Sequence, residues 1–130
     1  MSQMPSAGES EARTVLIVDD HQSILRVTRR MLGRLGWSVL EADRGQKALD
    51  LFDADQKIDL VILDLGLPDI DGMQVLVEMK RRRPDARVIV SSGSNPGATG
   101  DQLGPVLPDG YLDKPYTLAT LRETLQRTAG

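Results

Sequence analysis

Two short runs, Thr14-Val-Leu-Ile-Val18 and Leu60-Val-Ile-Leu63, consist wholly of apolar or β-branched residues, and each stops on aspartate. Four or five residues are too few for a helix, and no polar residue alternates with the apolar ones. Such runs read as strands buried on both faces, the pattern of a parallel sheet covered by helices. A chain built on them must therefore supply amphipathic helices for two faces. Their carboxyl ends carry Asp19-Asp20 and Asp64.

The intervening segments meet that requirement. Ile24, Leu25, Thr28, Met31, Leu32 and Leu35 recur at helical spacing with Arg26, Arg29, Arg30 and Arg34 mostly between them, and Gly36 follows as a stop. Ser38–Ala42 reads as a second strand, and Ala48, Leu49 and Phe52 as the inner face of a second helix. After Asp64, the residues Gly66, Pro68, Asp69 and Gly72 mark a loop. A helix with Met73, Val75, Leu76 and Met79 inward then ends in Arg81-Arg82-Arg83 before Pro84. Val88–Ser91 and Gly110–Leu112 complete five strands, and Leu118, Leu121 and Leu125 space out a closing helix after Pro115. Alternating strands and helices with short loops predict a doubly wound, five-stranded parallel α/β sheet with right-handed crossovers and helices on both faces. Between Asn95 and Asp109, Pro96, Gly97, Gly100, Gly104, Pro105 and Pro108 make any fourth helix short or irregular, and this segment is expected to be mobile.

Composition narrows the function classes. With 16 Lys and Arg against 19 Asp and Glu in 130 residues, the net charge of -3 disfavours a nucleic-acid groove, which needs a basic excess. Cysteine is absent, so disulfides and thiolate metal sites are excluded. No apolar run approaches the roughly 20 residues of a membrane helix, and residues 1–13 lack the apolar stretch of a signal peptide. The expectation is a disordered lead-in over 1–13, one domain over 14–128, no membrane insertion and a cytoplasmic location. No DNA-binding region follows the closing helix, so output is expected through an unidentified protein partner.

In open parallel sheets, ligands bind beyond the carboxyl ends of the strands, at the point where the strand order reverses. For an order 2-1-3-4-5 that point lies between strands 1 and 3, which places Asp19, Asp20 and Asp64 at one site. Two like charges 4 Å apart repel by about 4 kcal/mol at an effective dielectric of 20, so either a carboxyl pKa rises or a cation binds. Hard oxygen donors suit Mg2+. Lys114, two strands from Asp64 and roughly 9–10 Å away in backbone terms, can reach across as a fixed cation.

The order and placement of these residues resemble the receiver domains of bacterial two-component systems. The resemblance covers about residues 14–127. It rests on the acid pair Asp19-Asp20, on Asp64-Leu-Gly-Leu-Pro68 with Gly72 after it, on Ser92-Gly93, and on Lys114-Pro115. It implies a flavodoxin-like (βα)5 fold. It also implies that Asp64 takes a phosphoryl group from a histidine kinase or phosphotransfer protein. Mg2+ would be held by Asp20, Asp64 and the Gly66 carbonyl, with Asp19 partly through water. Ser92, the Gly93 amide and Lys114 would hold the phosphate, with Gly66 beside it, and Ser92 and Tyr111 would form a switch. Such a domain is not a turnover enzyme, although it catalyses its own phosphorylation and dephosphorylation. The motif Lys114-Pro115-Tyr116 is similar to receivers attached to hybrid kinases.

Plainer readings stand beside these. Asp69 and Asp71 read as loop and cap residues, Trp37 and Phe52 as packing residues, and Arg81 to Arg83 as a solvated helix end. His21 adjoins the acid pair but sits where a helix should start, and Lys114 alone would be a loop cation. A haloacid-dehalogenase-type phosphatase also uses an aspartyl phosphate, but after its first strand, whereas Asp64 follows the third. Neither a G-x-G-x-x-G nor a G-x-x-x-x-G-K nucleotide motif occurs. A degenerate receiver used only for docking is disfavoured because all five expected positions are filled.

Overall fold

The computed structural model describes residues 13–54, 57–92 and 106–129. Five strands, β1 (Thr14–Val18), β2 (Ser38–Ala42), β3 (Ile58–Asp64), β4 (Arg87–Ser92) and β5 (Gly110–Asp113), form one parallel sheet ordered β2-β1-β3-β4-β5. The helices among the described residues are α1 (Gln22–Arg34), α2 (Gly45–Ala54), α3 (Gly72–Arg82) and α4 (Leu118–Ala129). Residues 93–105, which hold most of the segment expected to be irregular, and the lead-in residues 1–12 lie outside those described. Arg13, expected in the disordered lead-in, is tied in: its carbonyl accepts from Ser38 N at 2.8 Å, and its guanidinium lies 5.7 Å from the Trp37 ring centre.

Strand alternation sorts the core into two layers. Leu16, Val18, Val61, Leu63, Val88 and Val90 pack with Ala48, Leu49 and Phe52 of α2 and Val75, Leu76 and Met79 of α3. Val15, Ile17, Leu60, Ile62, Ile89 and Leu112 face Leu25 and Leu32 of α1 and Leu121 and Leu125 of α4. The uninterrupted apolar runs therefore feed both layers, which is why they show no polar alternation.

Local signals set the helix ends. Gly36, at φ +88°, closes α1: its N–H donates to Gly33 O at 3.1 Å and Trp37 N–H to Leu32 O at 3.0 Å. Asp71 caps α3 by accepting from Met73 N at 3.0 Å. Asp69 does more than the loop role expected of it. Its carboxylate accepts from Gly45 N at 2.7 Å and Gln46 N at 3.0 Å, so it caps α2 from across the molecule and pins the loop after β3. The hydrogen bond from Gln46, with that from Gly45, holds its pKa below the usual carboxylate value against the opposing effect of desolvation. A depressed pKa stabilises the fold above the ordinary carboxylate range, and that stability is lost as pH falls through the lowered value. Asp69→Ala should therefore cost about 1 kcal/mol at neutral pH, and urea titrations should show the deficit shrinking in acid.

One expectation needs correction. Arg81 and Arg82 do form an exposed helix end, but Arg83 is partly buried. Its guanidinium stacks 4.0 Å from the Phe52 ring centre and donates to the carbonyls of Phe52 and Ile58. The planar guanidinium can stack and donate at once, and it ties α3 to the end of α2. A run of three arginines does not show which one turns inward.

Gly72 has a steric task. A Cβ there would meet the backbone at Leu65 Cα (2.5 Å), Asp64 O (2.8 Å) and Leu65 O (3.0 Å). Gly72 N also donates to Leu65 O at 3.2 Å. Backbone cannot yield as a flexible side chain does, so Gly72→Ala should destabilise by about 2 kcal/mol. The check is a lower urea midpoint with an unchanged slope.

Candidate functional site

The carboxyl ends of β1, β3, β4 and β5 meet at one edge of the sheet, and main-chain ladder bonds extend past the strands to hold the residues just beyond them. Asp19 N donates to Ala42 O at 3.0 Å, Leu65 N to Ser91 O at 3.3 Å, and Lys114 N to Ser92 O at 2.9 Å. In register, Asp64 lies across from Ser91, and Ser92 across from Asp113. The Lys114–Pro115 peptide bond is cis.

Lys114 reaches the acids as its reach predicts. Its Nζ lies 2.6 Å from Asp19 Oδ2 and 3.1 Å from Asp64 Oδ1, and the three side chains are only 7–11% exposed. One ammonium thus offsets the repulsion between two buried carboxylates while holding only one oxygen of each. Burial is the main influence on Asp64 and raises its pKa; Lys114 opposes this, and Asp19 adds to it. Burial works to lower the pKa of Lys114, but its bonds and charge contacts with Asp19 and Asp64 outweigh that and raise it. Lys114 therefore remains an ammonium at neutral pH, in contact with both acids.

Asp20 is more open, its side chain 31% exposed, yet its Oδ1 is buried without a hydrogen-bond partner. His21, at the N-cap of α1, places Nδ1 3.0 Å from Asp19 Oδ1 and 3.2 Å from Asp20 Oδ1. The hydrogen bond to Asp19 and the charge of Asp20 raise its pKa. Donor atoms of Asp19, Asp20, His21 and Asp64 all lie within 4.8 Å of one another. Three acids converge on Lys114 and the His21 ring, and Asp20 Oδ1 accepts no hydrogen bond; the clustered carboxylate oxygens fit a divalent cation.

The remaining expected residues are placed unevenly. The Gly66 backbone amide works to lower the Asp64 pKa, against the effect of burial. Ser92 ends β4 partly buried, whereas Ser91 is buried at 2% exposure. Gly93 lies outside the described residues. Tyr111, on edge strand β5, is 47% exposed.

Sequence reasoning missed a support behind the site. Tyr116 Oη and Thr28 Oγ1 are 2.8 Å apart, joining the loop after Lys114 to α1. Both line a cavity of about 10 Å3 with Ile17, Asp19, Ile62 and Ser91. That is room for at most one water, not a small-molecule site. The signal was Thr28, a polar residue within an apolar helical stripe. A second missed contact is Lys80, whose Nζ donates to Ala86 O and Asp109 Oδ2, both at 2.6 Å, and so ties α3 to the chain entering β5.

Comparison with known proteins agrees with this geometry. The family model described as response regulator receiver domain matches residues 15–126. The autoinducer 1 sensor kinase/phosphatase LuxN of Vibrio campbellii is 31% identical over 116 residues, covering 89% of this chain but only 13% of LuxN. Among solved structures, the response regulator TrrA of Thermotoga maritima, in complex with Mg2+-BeF, has a TM-score of 0.80 at 28% identity, covering 88% of this chain and 97% of that one. A response regulator of Burkholderia pseudomallei with a phosphorylated aspartic acid, calcium ion and citrate has a TM-score of 0.78 at 30% identity, covering 88% and 66%. Among the described residues, no helix is long and apolar enough to cross a membrane.

Proposed function

This chain belongs to the response regulator receiver domain family, and from that premise we propose that Asp64 accepts a phosphoryl group from a histidine kinase or phosphotransfer protein. The observation that carries the reading is Lys114 Nζ, held between Asp19 and Asp64 at the sheet edge. A carboxylate oxygen of Asp64 attacks the phosphorus of a phosphohistidine. The P–N bond breaks, the imidazole leaves with its electron pair, and an acyl phosphate forms. Lys114 already touches Asp64 and is placed to hold a phosphoryl oxygen, and Ser92 with the Gly93 amide serves the others.

Asp19, Asp20, Asp64 and the Gly66 carbonyl would hold Mg2+, which when bound neutralises the carboxylates and the incoming phosphoryl oxygens. The unbonded Asp20 Oδ1 supports this assignment. The residues' work is to position groups and balance charge, the larger part of catalysis in phosphoryl transfer. The same groups let the domain catalyse its own phosphorylation and dephosphorylation. In our reading the receiver spans 14–128 and works in the cytoplasm. Its output passes to a protein partner through a surface that Ser92 and the outward Tyr111 switch.

Incubation of the full chain with acetyl phosphate and Mg2+ should add one phosphoryl group to the intact mass, and chelating the metal beforehand should prevent it. Steady turnover of a soluble phosphomonoester would replace this reading with a phosphatase.

A further inference from the structure

We propose that His21 is a nitrogen ligand of the cation pocket and tilts its selectivity from Mg2+ toward borderline divalent ions such as Mn2+, Co2+ and Ni2+. The inference rests on the acidic pocket being a metal site, as proposed above, and concerns the residue beside the acid pair. His21 Nδ1 lies 3.0 Å from Asp19 Oδ1 and 3.2 Å from Asp20 Oδ1. Neighbouring ligands of a divalent ion with bonds of roughly 2.1 Å stand roughly 3 Å apart. The imidazole nitrogen thus already stands at adjacent-ligand spacing from one oxygen of each acid.

Binding an ion would exchange one contact: the hydrogen bond between His21 Nδ1 and Asp19 Oδ1 gives way to the two metal bonds, and any proton on Nδ1 passes to solvent. Lys114 holds the other oxygen of Asp19, Oδ2, at 2.6 Å, and Asp20 Oδ1 has no hydrogen-bond partner. His21 N donates to Asp19 Oδ1 at 2.9 Å, which fixes the turn that presents the ring over the acids. The ring is 60% exposed, so it can turn onto an ion without breaking core packing. Imidazole suits late transition ions, whereas Mg2+ favours an all-oxygen set.

His21 is the only histidine in the chain, and there is no cysteine, so the test is free of competing imidazole or thiolate ligands. Isothermal titration of the tag-free full chain with Ni2+ and with Mg2+ gives the ratio of the two affinities. His21→Asn, which keeps a good N-cap residue, and His21→Gln should each lower the Ni2+/Mg2+ ratio by about tenfold or more. Pulsed EPR with Mn2+ should show a 14N imidazole coupling in wild type that both variants lack. An unchanged ratio, or no nitrogen coupling in wild type, would overturn the role of His21 while leaving the acidic pocket intact. Failure of the wild type to bind either ion would instead overturn the metal pocket, and this inference with it.

Discussion

Asp64→Asn should take up no phosphoryl group from acetyl phosphate and should melt higher than wild type, by about 4 °C or roughly 1 kcal/mol for a domain of this size. The two effects have one cause. Asp64 is 5% exposed, and burial with the nearby Asp19 charge raises its pKa above the ordinary carboxylate range. A carboxyl whose folded pKa is raised stabilises the fold when protonated. That contribution is complete below the unfolded pKa and is lost as pH rises through the folded value. Ionising the group therefore costs more in the cation-free fold than in the unfolded chain, and stability falls as pH rises through the folded value. Asparagine mimics the neutral form and avoids that cost, but it has no carboxylate to attack phosphorus. The melting difference should accordingly narrow as the pH is lowered, and Mg2+ should stabilise wild type more than the variant. Phosphoryl uptake by the variant would show that another residue is the acceptor. A variant less stable than wild type at neutral pH would show that the Lys114 contact outweighs desolvation.

Lys114→Ala is expected to act in the opposite direction on stability. Removing the ammonium leaves Asp19 and Asp64 buried and facing each other without a counter-charge. Breaking a buried pair from one side is more damaging than never having formed it. We expect a loss of about 2 kcal/mol, below the range for fully enclosed pairs because Asp20 opens the pocket to water. The more acidic pocket should bind Mg2+ more tightly, so added Mg2+ should recover part of the lost stability. Phosphoryl uptake should still slow by about a hundredfold, the order seen when one fixed donor to a charge developing in a transition state is removed. Chemical denaturation with and without Mg2+, set beside the rate of mass gain from acetyl phosphate, separates the two effects. Uptake at the wild-type rate would remove Lys114 from the proposed chemistry.

Much of the architecture was legible because it depends on periodicities within single segments. The unalternating apolar runs named the buried strands, the stripes of α1 to α4 named their inner faces, and Gly36 and Asp71 marked helix ends through local backbone chemistry. Placing Asp19, Asp20, Asp64 and Lys114 at one edge needed only the sheet order. The hidden features involve residues whose choice of partner depends on packing between distant segments. Asp69 looks like any loop aspartate until α2 is set against it, 23 and 24 residues away in sequence. Arg83 differs from its two neighbours only once Phe52 lies beneath it.

The amino-acid sequence by itself determined the strands and helices, the inner faces of the helices and the set of acids and lysine at the strand ends, because hydrophobic periodicity and turn chemistry act over a few residues. Only the tertiary structure decided that Lys114 holds one oxygen from each of two aspartates, that Asp20 keeps an oxygen unbonded, and that His21 lies against both acids of the pair. Those outcomes turn on ångström-scale distances between side chains on different strands and loops, which close packing sets and no local sequence pattern records.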